Sequence, residues 1–394
     1  MKIFYITARC PYPLDKGDKL RAYYQLKYLS RDHEIYLFCI DDKKNDLAIQ
    51  KLSEIVSRLR VVQISKFKIA LNLLKNIFSN RPFQVSYYFY PSIKKIITSE
   101  IKKFKPDLIF CQLIRTSEYV KEMNGFTKVL DYVDALSKGL ERRMQKAKFF
   151  EKFIYKIEWL RVLKYEKDIY SVFDGHLVIS TTDRKYLPVD ENNSIKVLPN
   201  GIDLEFYKSN NSLKEYDVLF SGNLNYPPNI DASIFIAKEI LPELIKSKPD
   251  IRILIAGSSP NWRVKALKSS NITVKGWIDD IREYYRSSKV FVAPMRLGSG
   301  LQNKILQAMA MGLPCVVSEI AAMGLGNNAY NYVLVAKDKF EFANKIKLLL
   351  DNEEMMKEYS EKGFNFVKNK FDWQIIAKEL NEFLLYVYQK TKIN

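Results

Sequence analysis

A chain of 394 residues, 47% hydrophobic and 27% charged, is too long for one ordinary core and too apolar for a disordered polymer, so two folded domains are expected. Its 63 basic and 45 acidic residues leave a formal charge of +18, which favours an anionic partner: a phosphorylated ligand, nucleic acid or an acidic membrane surface. No apolar run reaches the roughly 18 residues of a spanning helix, and "MKIFYITARCPYP" is too briefly apolar for a signal peptide. Cys10, Cys39, Cys111 and Cys315 have neither disulfide nor zinc spacing, so a reducing, cytoplasmic compartment is the expectation.

In chain order, short runs rich in β-branched and aromatic residues alternate with longer amphipathic segments, as parallel βα units do. Strands are predicted at 2–7, 34–40, 60–64, 107–113, 128–133 and 175–180. The Asn-, Ser- and Asp-rich stretch near 183–215 breaks that rhythm and marks a seam. Strands resume at 217–222, 252–257, 272–277, 290–294, 314–318 and 332–336. The last amphipathic helix, about 374–390, either caps the second domain or crosses back onto the first. These boundaries give a domain over 1–185, a second over 186–372, and a terminal helix over 373–394. Each half reads as an open, Rossmann-like parallel sheet of the α/β class. Ligands of such sheets bind outside the carboxyl ends of the strands, so two sheets facing one another would enclose a cleft.

The segment "RLGSGLQNKILQAMAMGLPCVV" follows the strand at 290–294. Ser299 and Gln302 fit a capping box, Leu301, Ile305, Ala308 and Met309 form an apolar face, and Gly312 with Pro314 ends the helix. Lys304 is left over. The start of a helix carries the positive end of its dipole, where a lysine is unfavourable unless an anion compensates. Free amides exposed by Gly298 and Gly300, with Lys304 and the forked Arg296 beside them, suit a diphosphate. Gln307, three residues on, shares the face of Lys304 and can meet a sugar hydroxyl.

Taken together, "GSGLQNKILQAMAMGLPCVVS", "PYPLDKGDKLR", "VLDYVDALS", "LPNGID", "FSGNLNYPPN" and "GWIDDIREYYRSS" resemble family 4 (group 1) glycosyltransferases of the GT-B fold, in a bacterial branch associated with exopolysaccharide synthesis. The resemblance implies two Rossmann-like domains with open parallel sheets facing a central cleft. It further implies a nucleotide-diphosphate sugar donor on the second domain, a glycan or lipid-diphosphate-linked acceptor on the first, and transfer with retention. Gly17, Gly222, Asn223, Arg296, Gly298, Gly300, Leu301, Asn303, Lys304 and Gln307 would then form the donor site. Gln307 stands where the family has a glutamate for the ribose hydroxyls. A neutral amide binds more weakly than a carboxylate, which leaves an altered donor preference or lower activity open.

Asp131 and Asp134 follow a strand that should point into the cleft and are candidates for binding the acceptor hydroxyl or acting as its base; a helix cap by Asp134 is an equal alternative. His33 and His176 have no metal-ligand partners in sight, and neither a metal site nor a cofactor is expected. Two basic, apolar segments, 66–78 and 138–167, can pack on the sheet or rest on an anionic leaflet as a peripheral contact. A sugar-nucleotide epimerase, a non-catalytic sugar-nucleotide-binding protein and a nucleic-acid-binding protein are the competing classes. Nucleic acid is disfavoured because the basic residues gather near helix starts rather than along a groove.

Overall fold

The computed structural model describes residues 1–42, 45–77, 79–189, 194–208, 213–278, 280–297, 301–326 and 328–393. The chain forms two compact units, Met1–Asn200 with Gln374–Asn394, and Gly201–Trp373.

The first unit is built on a parallel sheet of β1 (Lys2–Thr7), β2 (Glu34–Asp41), β3 (Arg58–Gln63), β4 (Leu108–Gln112), β5 (Thr127–Asp131), β6 (Gly175–Val178) and β7 (Lys196–Val197), in the order β3-β2-β1-β4-β5-β6-β7. Central strands β4 and β5 are buried at every residue, which is why they read as unbroken apolar runs rather than alternating ones. The order reverses at β1, flanked by β2 and β4, and the carboxyl ends of β1 and β4 are therefore the topological switch point where a ligand is expected. Helices α1 (Gly17–Leu29), α2 (Lys66–Lys75), α3 (Phe83–Tyr88), α4 (Leu136–Lys146) and α5 (Phe149–Tyr170) belong to this unit. Phe4, Phe38, Ile97, Ile109 and Leu130 lie in its core. The cysteines, all four buried and free, act as small apolar residues.

The expected boundary at 185/186 moves to Asn200/Gly201. The reason is β7, whose two residues pair with Leu177 and Val178 of β6 and tie the segment leading to Asn200 to the first unit. A two-residue strand offers no periodicity to read. The C-terminal helix spans Trp373–Ile393, and from Gln374 onward it belongs to the first unit. Thr391 hydrogen-bonds Thr127 at 2.6 Å, Asn381 meets the His33 ring at 2.7 Å, and Val387 packs so closely on Gly175 that a Cβ there would come within 2.8 Å. Trp373 itself stays with the second unit, where its fully buried ring leaves no room for a side chain at Gly201. No helix among the described residues is long and apolar enough to cross a membrane.

The second unit holds β8 (Tyr216–Ser221), β9 (Ile253–Ala256), β10 (Ile272–Lys275), β11 (Ser288–Ala293), β12 (Cys315–Ser318) and β13 (Leu334–Ala336), all parallel, in the order β10-β9-β8-β11-β12-β13. Its switch point lies between β8 and β11. Two helices start at that edge: α6 (Pro227–Phe235), opened by a proline pair suited to the first helical turn, and α7 (Asn303–Ala310). The latter stops at Gly312, whose φ of +73° and N–H bond to the Met309 carbonyl form the terminating turn. Ile305, Ala308 and Met309 are buried as their spacing predicts, while Leu301 is half-buried and precedes the helix.

Candidate functional site

In the second unit the site begins with two strand ends that touch. Gly257, at φ +142° after β9, has the Gly222 carbonyl oxygen 1.8 Å from where a Cβ would lie, so only glycine fits. Gly222, after β8, is closed from its other side by the Asn229 amide, 2.8 Å from its own would-be Cβ. Asn229 sits in the first turn of α6 and does two things. Its Nδ2 donates to the Asn223 carbonyl at 2.9 Å, and its Oδ1 accepts from the Lys304 ammonium at 2.6 Å. Gly222, Asn223 and Lys304 are thereby gathered around one buried amide.

Lys304 is the second residue of α7 and is only 9% exposed. Its Nζ lies 4.5 Å from the centre of the Phe220 ring and 3.5 Å from the Met295 sulfur. Among the described residues no carboxylate pairs with it, and the first turn of α7 carries no acidic residue. Burial lowers its pKa to about 7. A cation desolvated at the positive end of a helix, with only neutral neighbours, is a position prepared for an anion.

The other predicted residues divide. Arg296 does not stand beside Lys304 as a second free cation, because both oxygens of Asp231 hold its fork at 2.7 and 3.0 Å and Phe235 lies under it. Gly298, Gly300 and Ser299 lie outside the described residues, so the capping box does too; Gln302 is the residue before the helix rather than its third position. Asn303, the first residue of α7, and Leu301 are half-buried at the helix start. Gln307 accepts through Oε1 from the Tyr285 hydroxyl at 3.0 Å. That phenol, fully buried and pushed well up by burial, is bonded to Ser221 at 2.8 Å, which ties position 307 to the end of β8.

In the first unit Asp131 is held in a buried ion pair. It ends β5 with no solvent exposure. Its Oδ2 accepts from Arg21 at 2.6 Å and Gln25 at 3.0 Å, and its Oδ1 from the Val133 amide at 3.0 Å. Arg21, equally buried, spends its other contacts on the Leu198 and Pro199 carbonyls and on Asn200. The pair is a lock between β5, α1 and the segment after β7. Asp134, by contrast, reaches solvent. Desolvation by the protein packed around it raises its pKa to about 6, with Asp183 and Asp18 adding repulsion and Arg115 opposing them. Gly17 opens α1 with empty space where a side chain would lie, so sterics do not demand glycine there. His176 is a core residue stacked on Tyr170 at 4.2 Å, its pKa lowered to about 4 by burial. His33 joins the N-terminal amine to Asn381. Among the described residues no group of three or more His, Cys, Asp or Glu gathers as a metal site would.

Strain marks the same strand ends. Leu113 after β4, Val133 after β5 and Ser259 after β9 have φ of +64°, +67° and +52°, a region unfavourable to side chains and worst for a β-branched one. Sequence reasoning missed Asn229, Asp231 and Tyr285. The only signal for the first was its place in "NYPPN", where an asparagine follows the proline pair that starts a helix.

Two Rossmann-like parallel-sheet units, each with its chemistry at the carboxyl ends of its strands, define the GT-B fold of glycosyltransferases. The chain matches the Glycosyl transferases group 1 family over residues 215–352. An uncharacterised 44.6 kDa protein of the cps region of Klebsiella pneumoniae is 27% identical and is matched over 94% of this chain and 96% of its own length. The UDP-Gal:alpha-D-GlcNAc-diphosphoundecaprenol alpha-1,3-galactosyltransferase of Escherichia coli is 29% identical over 44% of this chain and 51% of that enzyme, so the chain spans about half its length. Among solved structures, Anabaena HepE has the same fold, 14% identical with a TM-score of 0.68 in its UDP complex, which covers 98% of this chain and all of that one. HepE has also been solved with UDP-glucose, with a TM-score of 0.65, 13% identity and the same coverage of both chains.

Proposed function

We propose that the protein is a metal-independent, retaining glycosyltransferase that moves a sugar from a nucleotide-diphosphate donor to a glycan or lipid-linked glycan in cell-surface polysaccharide or glycolipid synthesis. One observation carries this: Lys304, buried at the start of α7 without a carboxylate, is held by Asn229 at the switch point of the second sheet. In the proposed reaction the donor diphosphate lies against Lys304 and the amides around Gly222 and the start of α7. The charge that develops as the leaving diphosphate departs is met by a cation already in place, worth several kcal/mol in comparable sites. Gln307, steadied by Tyr285, faces the nucleotide ribose. Arg296 shapes the site through Asp231 instead of touching phosphate.

On the acceptor side, Asp134 binds or deprotonates the attacking hydroxyl, its pKa of about 6 being close to what a general base needs near neutrality. Asp131, locked on Arg21, positions the loop that carries Asp134. With no carboxylate assigned as enzymic nucleophile, retention is read as front-face attack. UDP and UDP-glucose, which HepE binds, are the first donors to test.

The enzyme is placed on the cytoplasmic side of the membrane, in peripheral contact with its anionic face. Support for this comes from Phe149, Phe150 and Phe153 at the start of α5, which are 84%, 84% and 68% exposed among Lys148, Lys152 and Lys156, a pairing of insertion and charge suited to a leaflet. A thermal-shift panel of UDP-, GDP-, ADP- and TDP-sugars tests the donor reading. A shift with one of them, lost in Lys304→Met, is expected; no shift with any overturns it.

A further inference from the structure

Asp134 is presented by a strained turn. β5 ends at Asp131, yet bonding to the β6 side runs on: the Tyr132 amide donates to the Leu177 carbonyl and the Ile179 amide to the Val133 carbonyl, each at 2.9 Å. Between those bonds the Asp134 amide donates to the Tyr132 carbonyl at 2.9 Å, closing a three-residue turn around Val133 at φ +67°. A γ-turn with positive φ at its centre is the rarer and strained hand, and a β-branched residue is poorly suited to it. Such a turn persists only where its surroundings over-determine it. Asp131 Oδ1, which accepts from the Val133 amide at 3.0 Å, is one brace.

On its far side the turn runs into α4, which has no cap of its own. Ala135 holds the N-cap position, no side chain there accepts from the helix amides, and the first turn carries no acid. Asp134 is therefore not the cap. The acceptor comes from another helix. Glu166 of α5, with no solvent exposure, accepts through Oε1 from the Ser137 amide at 3.3 Å. The backbone carbonyl of the same residue accepts from the Tyr132 hydroxyl at 3.4 Å. Tyr132 and Ser137 are both buried and flank Asp134, so both ends of its loop are tied to Glu166. Earlier on α5, Glu158 serves α3 in the same way, accepting from the Phe83 and Gln84 amides at 2.8 and 3.1 Å.

A carboxylate is a poor choice for this place if folding is the only requirement. Burial pushes the Glu166 pKa up to about 7, Ser137 and the Leu136 amide pull against that, and Asp134 adds repulsion. Its Oε2 accepts no hydrogen bond. A serine at 135 would cap α4 from within the chain and bury no charge. What the distant cap adds is a tie between the start of α4 and α5, which holds the exit of the turn while Asp131 holds its entry.

Resting on the reading of Asp134 as the group that meets the acceptor hydroxyl, we infer that Glu166 is a positioning residue: it supplies from α5 the cap that α4 lacks and so fixes the direction in which the turn presents Asp134.

The test is turnover and amide hydrogen exchange of the full chain, in wild type, Glu166→Leu, Glu166→Gln, Glu166→Asp and Glu166→Leu combined with Ala135→Ser. Turnover is read as release of UDP from UDP-glucose, or of the nucleoside diphosphate from whichever sugar nucleotide shifts the melting temperature, with water standing in for the acceptor. In that reaction the water oxygen bonds the anomeric carbon, the bond to the diphosphate breaks, and Asp134 takes the proton. Glu166→Leu should lower kcat about tenfold with the donor KM unchanged, and should speed exchange about tenfold over 132–138 alone. Glu166→Gln keeps an acceptor oxygen and should stay within about twofold of wild type. Ala135→Ser should restore most of what Glu166→Leu loses, since it caps α4 locally. Should Glu166→Leu fail to fold, Glu166→Asp, which draws the acceptor back from Ser137, carries the same comparison with a smaller loss. A normal kcat in the folded Leu or Asp variant, a loss in Glu166→Gln equal to that in Glu166→Leu, or a donor KM rising in step with the loss of kcat would overturn the assignment. Hydrolysis of no sugar nucleotide, or hydrolysis that survives Asp134→Asn, would sink the underlying reading of Asp134. Exchange over 132–138 would then decide the brace alone, and equal exchange in variant and wild type would overturn it.

Discussion

Nucleotide binding should take up a proton, and Lys304 is the reason. A lysine brought by burial from its ordinary range to about 7 costs about 5 kcal/mol to keep charged at low pH. At pH 8 only about one such lysine in ten carries its proton. A diphosphate lying against the ammonium returns the pKa toward the ordinary range, so binding at pH 8 should draw in about 0.9 proton and weaken about tenfold for each further pH unit. Titration calorimetry with UDP in two buffers of different ionisation enthalpy, between pH 6 and 9, measures that number directly.

The stability of the ligand-free chain carries the same signature with a definite sign. The folded pKa lies below the unfolded one, so the unfolded chain binds the extra proton between about pH 7 and 10. The penalty is full below 7 and fades as pH rises through that window. Lys304→Met keeps the length of the side chain against Phe220 and Met295, and it removes the charge. It should stabilise the ligand-free protein at pH 7 by about 1–3 kcal/mol in urea denaturation, the loss of a donor to Asn229 offsetting part of the gain. It should also abolish UDP binding. A variant that is less stable by about 3 kcal/mol yet binds UDP normally would show that Lys304 is structural and refute the reasoning.

Gln307→Glu should tighten UDP several-fold by calorimetry, since the carboxylate keeps the Tyr285 bond and offers a free oxygen to the ribose; unchanged affinity would move position 307 out of the site. Asp134→Asn should flatten the acidic limb of the kcat/KM profile, because a base with a pKa of about 6 loses its function as pH falls through that value; an intact limb assigns it elsewhere. Asp131→Ala strands Arg21 as a buried charge and should lower stability by about 3–5 kcal/mol in denaturant; loss of turnover at full stability would restore Asp131 as a chemical group. Replacing Phe149, Phe150 and Phe153 together by serine should cut co-sedimentation with vesicles containing phosphatidylglycerol without changing the melting temperature, and equal sedimentation would argue against leaflet contact.

The strands were legible because parallel sheets bury both faces, and every predicted run overlaps an observed strand. What stayed hidden was set by partners distant in sequence. Asp131 follows a strand just as a catalytic carboxylate would, and nothing near it in sequence announces Arg21, 110 residues earlier and fully buried. Arg296 looked free because its partner Asp231 is 65 residues away. Lys304 was legible for the opposite reason. Its misfit was local, a cation in a helix's first turn, and the structure leaves that misfit unrelieved by any carboxylate among the described residues.

That contrast separates working cations from structural ones across the molecule. Near both switch points several cations have a carboxylate: Arg21 has Asp131, Arg9 has Asp18, Lys19 has Asp15 and Arg296 has Asp231. Among the described residues Lys304 has none. It is desolvated, hydrogen-bonded to the neutral Asn229 amide and the Met295 sulfur, and set against the Phe220 ring. Holding a charge in that state is unfavourable in the empty protein, and a ligand phosphate is what relieves it. A chain meant only to fold would gain stability by giving Lys304 a carboxylate or replacing it with an apolar side chain. That neither has been done, at the carboxyl end of the second sheet, is the physical argument for the proposed anionic donor.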